Sequence, residues 1–321
     1  MIRAFFATDV HGSNLCFRKF LNASGYYKTD YLILGGDVTG KVMVPIIEEQ
    51  GEIYTVKFLG QEKVVRGREE LAVMEKRISD SGSYPFLTRR EQMAELAKDR
   101  HRMDSVFKEL IVQRLGEWMS IAEQFSNSSK AKVYMTGGND DEPYVDQILE
   151  QADRTGSIIH PVDKVVYLGD LHEMISVPYS NMTPWKCPRD ISEAELSDKI
   201  EQVASKVKDY GNAIFNFHAP PKDSDLDTCP KLDTTTHPPK PIMQQGRLVM
   251  YGAGSTSVRL AIEKYQPLAG LHGHIHESMG VTKIGRTHCF NPGSEYAEGI
   301  LRGVIIALDD RKVRSYQLTS G

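Results

Sequence analysis

Short apolar runs separated by polar, glycine-bearing loops mark this chain, and most of the runs have the length of buried strands. Residues 2–7 read Ile-Arg-Ala-Phe-Phe-Ala and predict the first strand. Residues 31–34, 132–136, 165–168, 174–177, 213–217, 248–252 and 268–271 predict others, and 301–308 with 313–318 predict a closing pair. Helical spacing falls between them. It predicts helices over 15–23 with Gly25 as the stop, over 143–152 with Pro143 in the first turn, over 192–208 behind a Ser192/Glu195 capping box, and over 257–265. Strands alternating with helices predict an α/β fold.

Two stretches break the alternation. Residues 41–130 read as an elaboration: a hairpin of 52–58 and 61–65, a helix over 67–79, a break at 81–85, then a long helix opened by a capping box of Thr88 and Glu91. Met93, Leu96, Met103, Phe107, Ile111, Leu115, Trp118, Ala122 and Phe125 form one stripe along that helix, suited to core packing. Residues 219–246 hold six of the fifteen prolines and read as a long ordered excursion beside a site. The expected organisation is one domain over 1–321 with insertions at about 41–130 and 219–246.

Charge and composition narrow the partners. Lys and Arg number 39 against 43 Asp and Glu, a formal net charge of −4, which argues against a duplex nucleic-acid clamp. A small phosphate ester stays open, because a bound metal reverses the local field. The apolar run at 304–308 is far below the ~20 residues of a spanning helix. The start reaches Asp9 too soon for a signal peptide, and the four cysteines are scattered without a CxxC, so a cytoplasmic protein without membrane contact is expected.

The chemistry lies where the strands end. Asp9 and His11 follow the first strand, Asp37 the second and Asn139 the third; His218 ends a later one, and His274 and His276 follow another. Open α/β sheets place ligand sites beyond the carboxyl ends of their strands. In extended backbone, residues i and i+2 share a side, so Asp9-x-His11 and His274-x-His276 are natural two-ligand units. Carboxylate and amide oxygens mixed with imidazoles suit divalent Mn, Fe, Zn or Ni, and the set is large enough for two ions if one carboxylate bridges. A second Asp-x-His, at Asp170 and His172, has no companion motif and reads as a hairpin turn.

In this order, Asp9-x-His11, Gly36-Asp37, Gly138-Asn139, His218 and Gly273-His274-x-His276 resemble the calcineurin-like metallophosphoesterase family, across residues 9–276. His218-Ala219-Pro220-Pro221 and Asn291-Pro292-Gly293-Ser294 are similar to its Icc-related prokaryotic phosphoesterase branch. The resemblance implies a four-layer α/β/β/α sandwich carrying two divalent metal ions. Asp9, His11 and His276 would hold one, Asn139, His218 and His274 the other, and Asp37 would bridge them. It implies hydrolysis of a small phosphate ester by a metal-bridging hydroxide, since two ions about 3.5–4 Å apart lower the pKa of a trapped water toward ~7.

One position departs from the family. Where it carries Gly-Asn-His-Asp or Gly-Asn-His-Glu, with the histidine protonating the leaving oxygen, this chain reads Gly138-Asn139-Asp140-Asp141. A carboxyl group of ordinary pKa near 3.9 is a poor donor at neutral pH. Asp140 is therefore expected to supply no proton, which favours a phosphodiesterase over a phosphomonoesterase. A non-catalytic scaffold of the same fold would carry decayed ligands, and here all seven are intact. His272 is expected to be structural or to orient a ligand imidazole. Asn291-Pro292-Gly293 reads as a turn near the site, and Lys222, Lys231 and Arg259 as solvated charges. His101, His160, His237 and His288 belong to no motif.

Overall fold

Strand Ile2–Ala7 sits at the middle of a five-stranded sheet in the computed structural model, which describes residues 1–236 and 238–321 and so leaves His237 outside. It pairs in parallel with Tyr31–Leu34, which pairs in parallel with Lys132–Met135. On its other side it runs antiparallel to Arg302–Asp309, which is closed by Lys312–Ser320. A six-stranded sheet follows the order Gly280–Ile284, Thr287–Asn291, Ala269–Leu271, Ile214–Phe217, His172–Val177, Val166–Leu168, with the four inner strands parallel.

Side-chain alternation along these strands builds the layers. Ala4 and Phe6 face the second sheet and pack with Met174, Ile214, Leu271 and Phe290. Their neighbours Phe5 and Ala7 face outward into Phe17, Phe20, Trp118 and Leu149 on helices Asn14–Tyr27, Arg100–Ser128 and Tyr144–Thr155. In the second sheet Ile175, Phe215 and Phe217 face Leu196, Ile200, Val258 and Ile262 on helices Glu193–Ala204 and Thr256–Tyr265. Three stacked cores make a four-layer α/β/β/α sandwich. Fully burying a side chain such as Phe6 contributes roughly 1.5–3 kcal/mol.

Residues 43–88 add a core of their own. Strands Gln61–Arg66, Ile53–Phe58, Met43–Glu48 and Tyr84–Thr88 form a sheet backed by helix Gly67–Asp80, around Ile46, Tyr54, Val56, Leu71 and Ile78. The expected hairpin and helix are there, but the expected break at 81–85 runs into a strand. Pro45 and Pro85 hide strands Met43–Glu48 and Tyr84–Thr88 from the sequence pattern, and these pair with each other in parallel.

Other boundaries shift for local reasons. Thr88 ends a strand rather than capping a helix, and the long helical stretch splits into Arg90–Leu96 and Arg100–Ser128. The second piece starts at Asp99, whose carboxylate accepts from the Arg102 N–H at 3.1 Å. The first helix passes through Gly25 to Tyr27 and stops at Lys28, which takes the left-handed conformation. The Ser192/Glu195 capping box is formed as expected, although its helix ends at Ala204. Strands Gly280–Ile284 and Thr287–Asn291 were not expected; polar Thr282, Lys283 and His288 dilute their apolar signal. Residues 219–246 carry only two- and three-residue strand pairs.

The insertion is fastened to the sandwich by Arg114. This buried guanidinium donates to Gly12 O at 2.5 Å and to Ser79 Oγ at 3.0 Å. Ser13 Oγ donates to Asp80 O at 2.5 Å, and the Tyr84 hydroxyl accepts from Gly40 N–H at 2.9 Å. Loops 9–14 and 37–41, which follow the first two strands, are therefore held against residues 79–84.

Candidate metal centre

Seven side chains from five loops converge beyond the carboxyl ends of the parallel strands, and they are the seven expected from the sequence. Asp9, His11 and His276 place ligand atoms within 4.8 Å of one another, as do Asp37, His218 and His274. Asp37 lies between the sets: Oδ2 is 3.7 Å from His11 Nε2, and Oδ1 is 3.3 Å from His218 Nε2. Asn139 Oδ1 completes the second set, 3.1 Å from His218 Nε2 and 2.8 Å from His274 Nδ1. His276 Nε2 is 3.4 Å from Asp9 Oδ1 and 3.1 Å from His11 Nε2.

The backbone reaches this arrangement by a route that strand alternation did not predict. Asp9, His11, Asp37 and His274 have φ of 53°, 39°, 48° and 67°, all in the left-handed region. Such residues cost about 1–3 kcal/mol each and persist where their surroundings over-determine them. Here the loops are cross-tied: Asp9 N–H donates to Gly36 O, His11 N–H to Asp37 O, and His274 N–H to both Asp9 carboxylate oxygens. Gly138 and Gly273 permit the close approach, since a Cβ at the first would overlap the Asp37 carboxylate and at the second the Asp9 carboxylate.

The donor set fits divalent cations. A carbonyl only accepts, so His11 Nδ1–H donates to Thr39 O at 3.3 Å and His218 Nδ1–H to Gly35 O at 3.4 Å. In its neutral form each ring then presents a bare Nε2 lone pair inward, the orientation that an outer hydrogen bond imposes on metal-ligating histidines. His274 is fixed the other way round, with Nε2 against Ser180 Oγ at 3.2 Å and Nδ1 inward. Five of the seven, both carboxylates among them, are buried, so the carboxylates need positive charge at this spot. Burial pushes Asp37 up to about 7, and Asp37 in turn raises His218 to about 9 against its own burial. Burial pushes Asp9 up as well, but the His276 hydrogen bond and the nearby imidazoles hold it well below the usual carboxylate range. Burial depresses His274 to about 3 and leaves its ring neutral. A cluster that draws protons in this way offers divalent cations two carboxylates, an amide oxygen and four imidazoles.

Three functional residues were missed by sequence reasoning. The first is Lys41, whose ammonium is ion-paired with Asp140. Burial pushes Asp140 up, but Lys41 and His11 bring it down to about 2, so Asp140 is an anion at the rim of the cluster. The second is Asp141. It is fully buried and accepts from Val38 N–H, Thr39 N–H and Gly138 N–H at 3.0, 2.8 and 2.7 Å, which locks the Asp37 loop to the Asn139 loop. The third is Asp190, whose Oδ1 accepts from Asn139 Nδ2 at 2.9 Å and turns the amide oxygen inward.

The remaining expectations sort by position. Asn291 does shape the site: its Nδ2 donates to Ile275 O at 3.0 Å, beside His274. His272 is buried, donates Nδ1–H to Phe217 O at 2.8 Å and hydrogen-bonds to no ligand nitrogen among the described residues. Asp170 lies in the turn of the hairpin that His172 closes, away from the cluster. Arg259 donates to Lys222 O and Asp223 O, and Lys222 to Gly252 O, so both are structural.

A cavity of about 410 Å³ opens from the cluster. Its floor is Asp37, Asn139, His274 and His276, with Lys41 and Asp140 at one side. Its wall is Met182, Trp185, Pro230, Leu232 and Tyr251.

No protein-family model matches the chain. It is similar to the uncharacterized protein MJ1162 of Methanocaldococcus jannaschii, 27% identical over 203 residues that cover 62% of this chain and 82% of that protein. Two solved structures share the fold across the full length. One aligns at a TM-score of 0.60 with 14% identity, covering 99% of this chain and 98% of the other. The second, TT1561 of Thermus thermophilus, aligns at 0.53 with 10% identity, covering 100% and 98%. No helix among the described residues is long and apolar enough to cross a membrane.

Proposed function

We propose that this chain is a two-metal phosphoesterase of the calcineurin-like kind, acting on a small phosphodiester. The observation that carries the reading is the position of Asp37, one carboxylate oxygen toward His11 and the other toward His218. Asp9, His11 and His276 would hold one cation, Asn139, His218 and His274 the other, with Asp37 shared. Bound there, divalent ions such as manganese supply positive charge for phosphoryl oxygens and lower the pKa of a water from 15.7 toward ~7.

The chain's own residues set the rest. Lys41 stands beside the cluster and lines the cavity, where it meets an outward phosphoryl oxygen. Asp140 positions that ammonium through the ion pair. The same carboxylate disfavours the second negative charge of a monoester at neutral pH. A diester carries one charge and a second organic arm, and the apolar wall gives that arm a place. Without a protonated group at position 140, the leaving oxygen must depart largely unaided, which selects substrates with stabilised leaving groups.

The test is metal analysis of protein purified without chelator, paired with hydrolysis of bis(p-nitrophenyl) phosphate and p-nitrophenyl phosphate in added manganese. Close to two ions per chain and a diester preference above one are expected. A preference below one would overturn the diester assignment, and protein that neither retains nor rebinds metal would overturn the reading as a whole.

A further inference from the structure

The cavity is chemically two-sided, and its apolar side is built rather than incidental. Trp185 and Met182, each 58% exposed, are large apolar side chains left open to solvent where they line a polar cleft. Solvated surfaces seldom gather an indole, a tyrosine, a thioether and prolines around one opening without an occupant. The turn that carries Trp185 is also held in place. Asp190 Oδ2 accepts from Thr183 N–H at 3.1 Å and from Cys187 N–H at 2.9 Å, and Trp185 N–H donates to Thr183 Oγ1 at 3.3 Å. Because Asp190 Oδ1 orients Asn139, one carboxylate fixes the aromatic wall and the cluster relative to each other.

We infer that the wall receives a nucleobase, so that the substrate is a nucleoside phosphodiester whose phosphorus sits over the cluster and whose base lies against Trp185. This rests on the phosphoesterase reading above. A flat π-face is what Trp185 and Tyr251 recognise, and stacking accepts any base. A simple alkyl or lipid arm would leave the polar members of the same opening unused. Glu277 and the sulfur of Cys187 line it beside the aromatics and can meet the ribose hydroxyls and base edge. A volume near 410 Å³ falls in the range of about 300–1,000 Å³ typical of small-molecule sites, so it suits one nucleotide rather than a polymer.

The chain has two tryptophans, which gives a readout independent of turnover. Trp118 is fully buried and stacked on Phe17 at 4.2 Å, out of reach of a ligand. Emission that responds to ligand therefore reports on Trp185. Titrating manganese-loaded protein with adenosine 5′-monophosphate is expected to quench emission saturably, with ribose 5-phosphate giving no quenching and the Trp185→Phe variant no response. In turnover, thymidine 5′-p-nitrophenyl phosphate is expected to exceed methyl p-nitrophenyl phosphate in kcat/KM by about tenfold, since both release the same leaving group and one stacked base is worth on the order of that factor. Trp185→Ala is expected to bring the ratio toward one, and Trp185→Phe to keep most of it. A wild-type ratio of one, or a ratio unchanged in Trp185→Ala, overturns the inference, as does emission that ignores the nucleotide. Quenching without hydrolysis of either ester keeps the nucleotide site and overturns the phosphoesterase reading, so the two fail separately.

Discussion

Asp190 and Asn139, 51 residues apart, share a 2.9 Å hydrogen bond that decides which end of an amide faces the cluster. Without it the Asn139 side chain is free to turn its NH₂ toward His218 and His274, where only an oxygen can serve a cation. Arg189 supports the same point through the backbone, its N–H donating to Asn139 O at 3.1 Å. Asp190→Ala is expected to weaken manganese binding by about 10–100-fold, the usual effect of losing a residue that orients a ligand. Calorimetric titration of chelator-stripped protein reads this directly, and an unchanged affinity would show that Asn139 does not ligate.

Asp140 and Lys41 make a second expectation. Asp140→His places an imidazole of ordinary pKa near 6.5 where an anion now stands. Rates for diesters with poor alkoxide leaving groups are expected to rise more than rates for nitrophenyl esters, so the dependence on leaving-group pKa flattens. General-acid help spans about 10²–10⁴-fold, which sets the upper range of the gain. Lys41→Met is expected to lower kcat/KM on diesters by an order of magnitude or more. If neither variant alters the leaving-group series or the rate, position 140 and its partner are spectators.

Strain at the cluster ties stability to metal. Four residues of the cluster with left-handed backbone are held by cross-loop hydrogen bonds around two buried carboxylates. Manganese at 100 times its Kd is expected to add about 2.7 kcal/mol to stability by mass action. Thermal melts with EDTA and with manganese should differ by several degrees, with the chelated sample lower. Coincident melts would mean that the cluster takes no cation under those conditions.

A pH effect is expected away from the cluster. His172 is buried in the second sheet, donates Nδ1–H to Asn212 O at 3.2 Å, and has its pKa lowered by burial. The unfolded chain takes up that proton first. Stability from this group is therefore full above the unfolded value of about 6.5, and is lost as pH falls from there toward the lower folded value. Urea melts of wild type and His172→Gln between pH 7.5 and 5 should converge as pH falls. A gap that widens toward pH 5 would reverse the assigned sign.

The residues of the cluster were legible because each sits just past a short apolar run, and a strand end is visible in sequence whatever lies between the strands. Strand alternation explains the Asp9/His11 and His274/His276 pairs only by half. The two-residue spacing does bring them together, but through left-handed turns rather than extended backbone. Asp190 and Lys41 were not legible, since a carboxylate in an irregular loop and a lysine after a glycine look like solvated charges until the fold places Asn139 and Asp140 beside them. Asp141 could have been suspected, because two adjacent aspartates after Gly138-Asn139 exceed what one helix start needs. The strands at 43–48 and 84–88 stayed hidden because each carries a proline and they pair across a long stretch of intervening chain.

Among the described residues Arg114 has no carboxylate partner, and it spends its donors on main-chain and hydroxyl oxygens, among them the carbonyl of Gly12, next to His11. The segment between the second and third sandwich strands is thus no detachable ornament. Pruning the chain to a bare two-sheet scaffold would unclasp the turn bearing Asp9 and His11, and a minimised version should lose its ion-holding shape before its sheets.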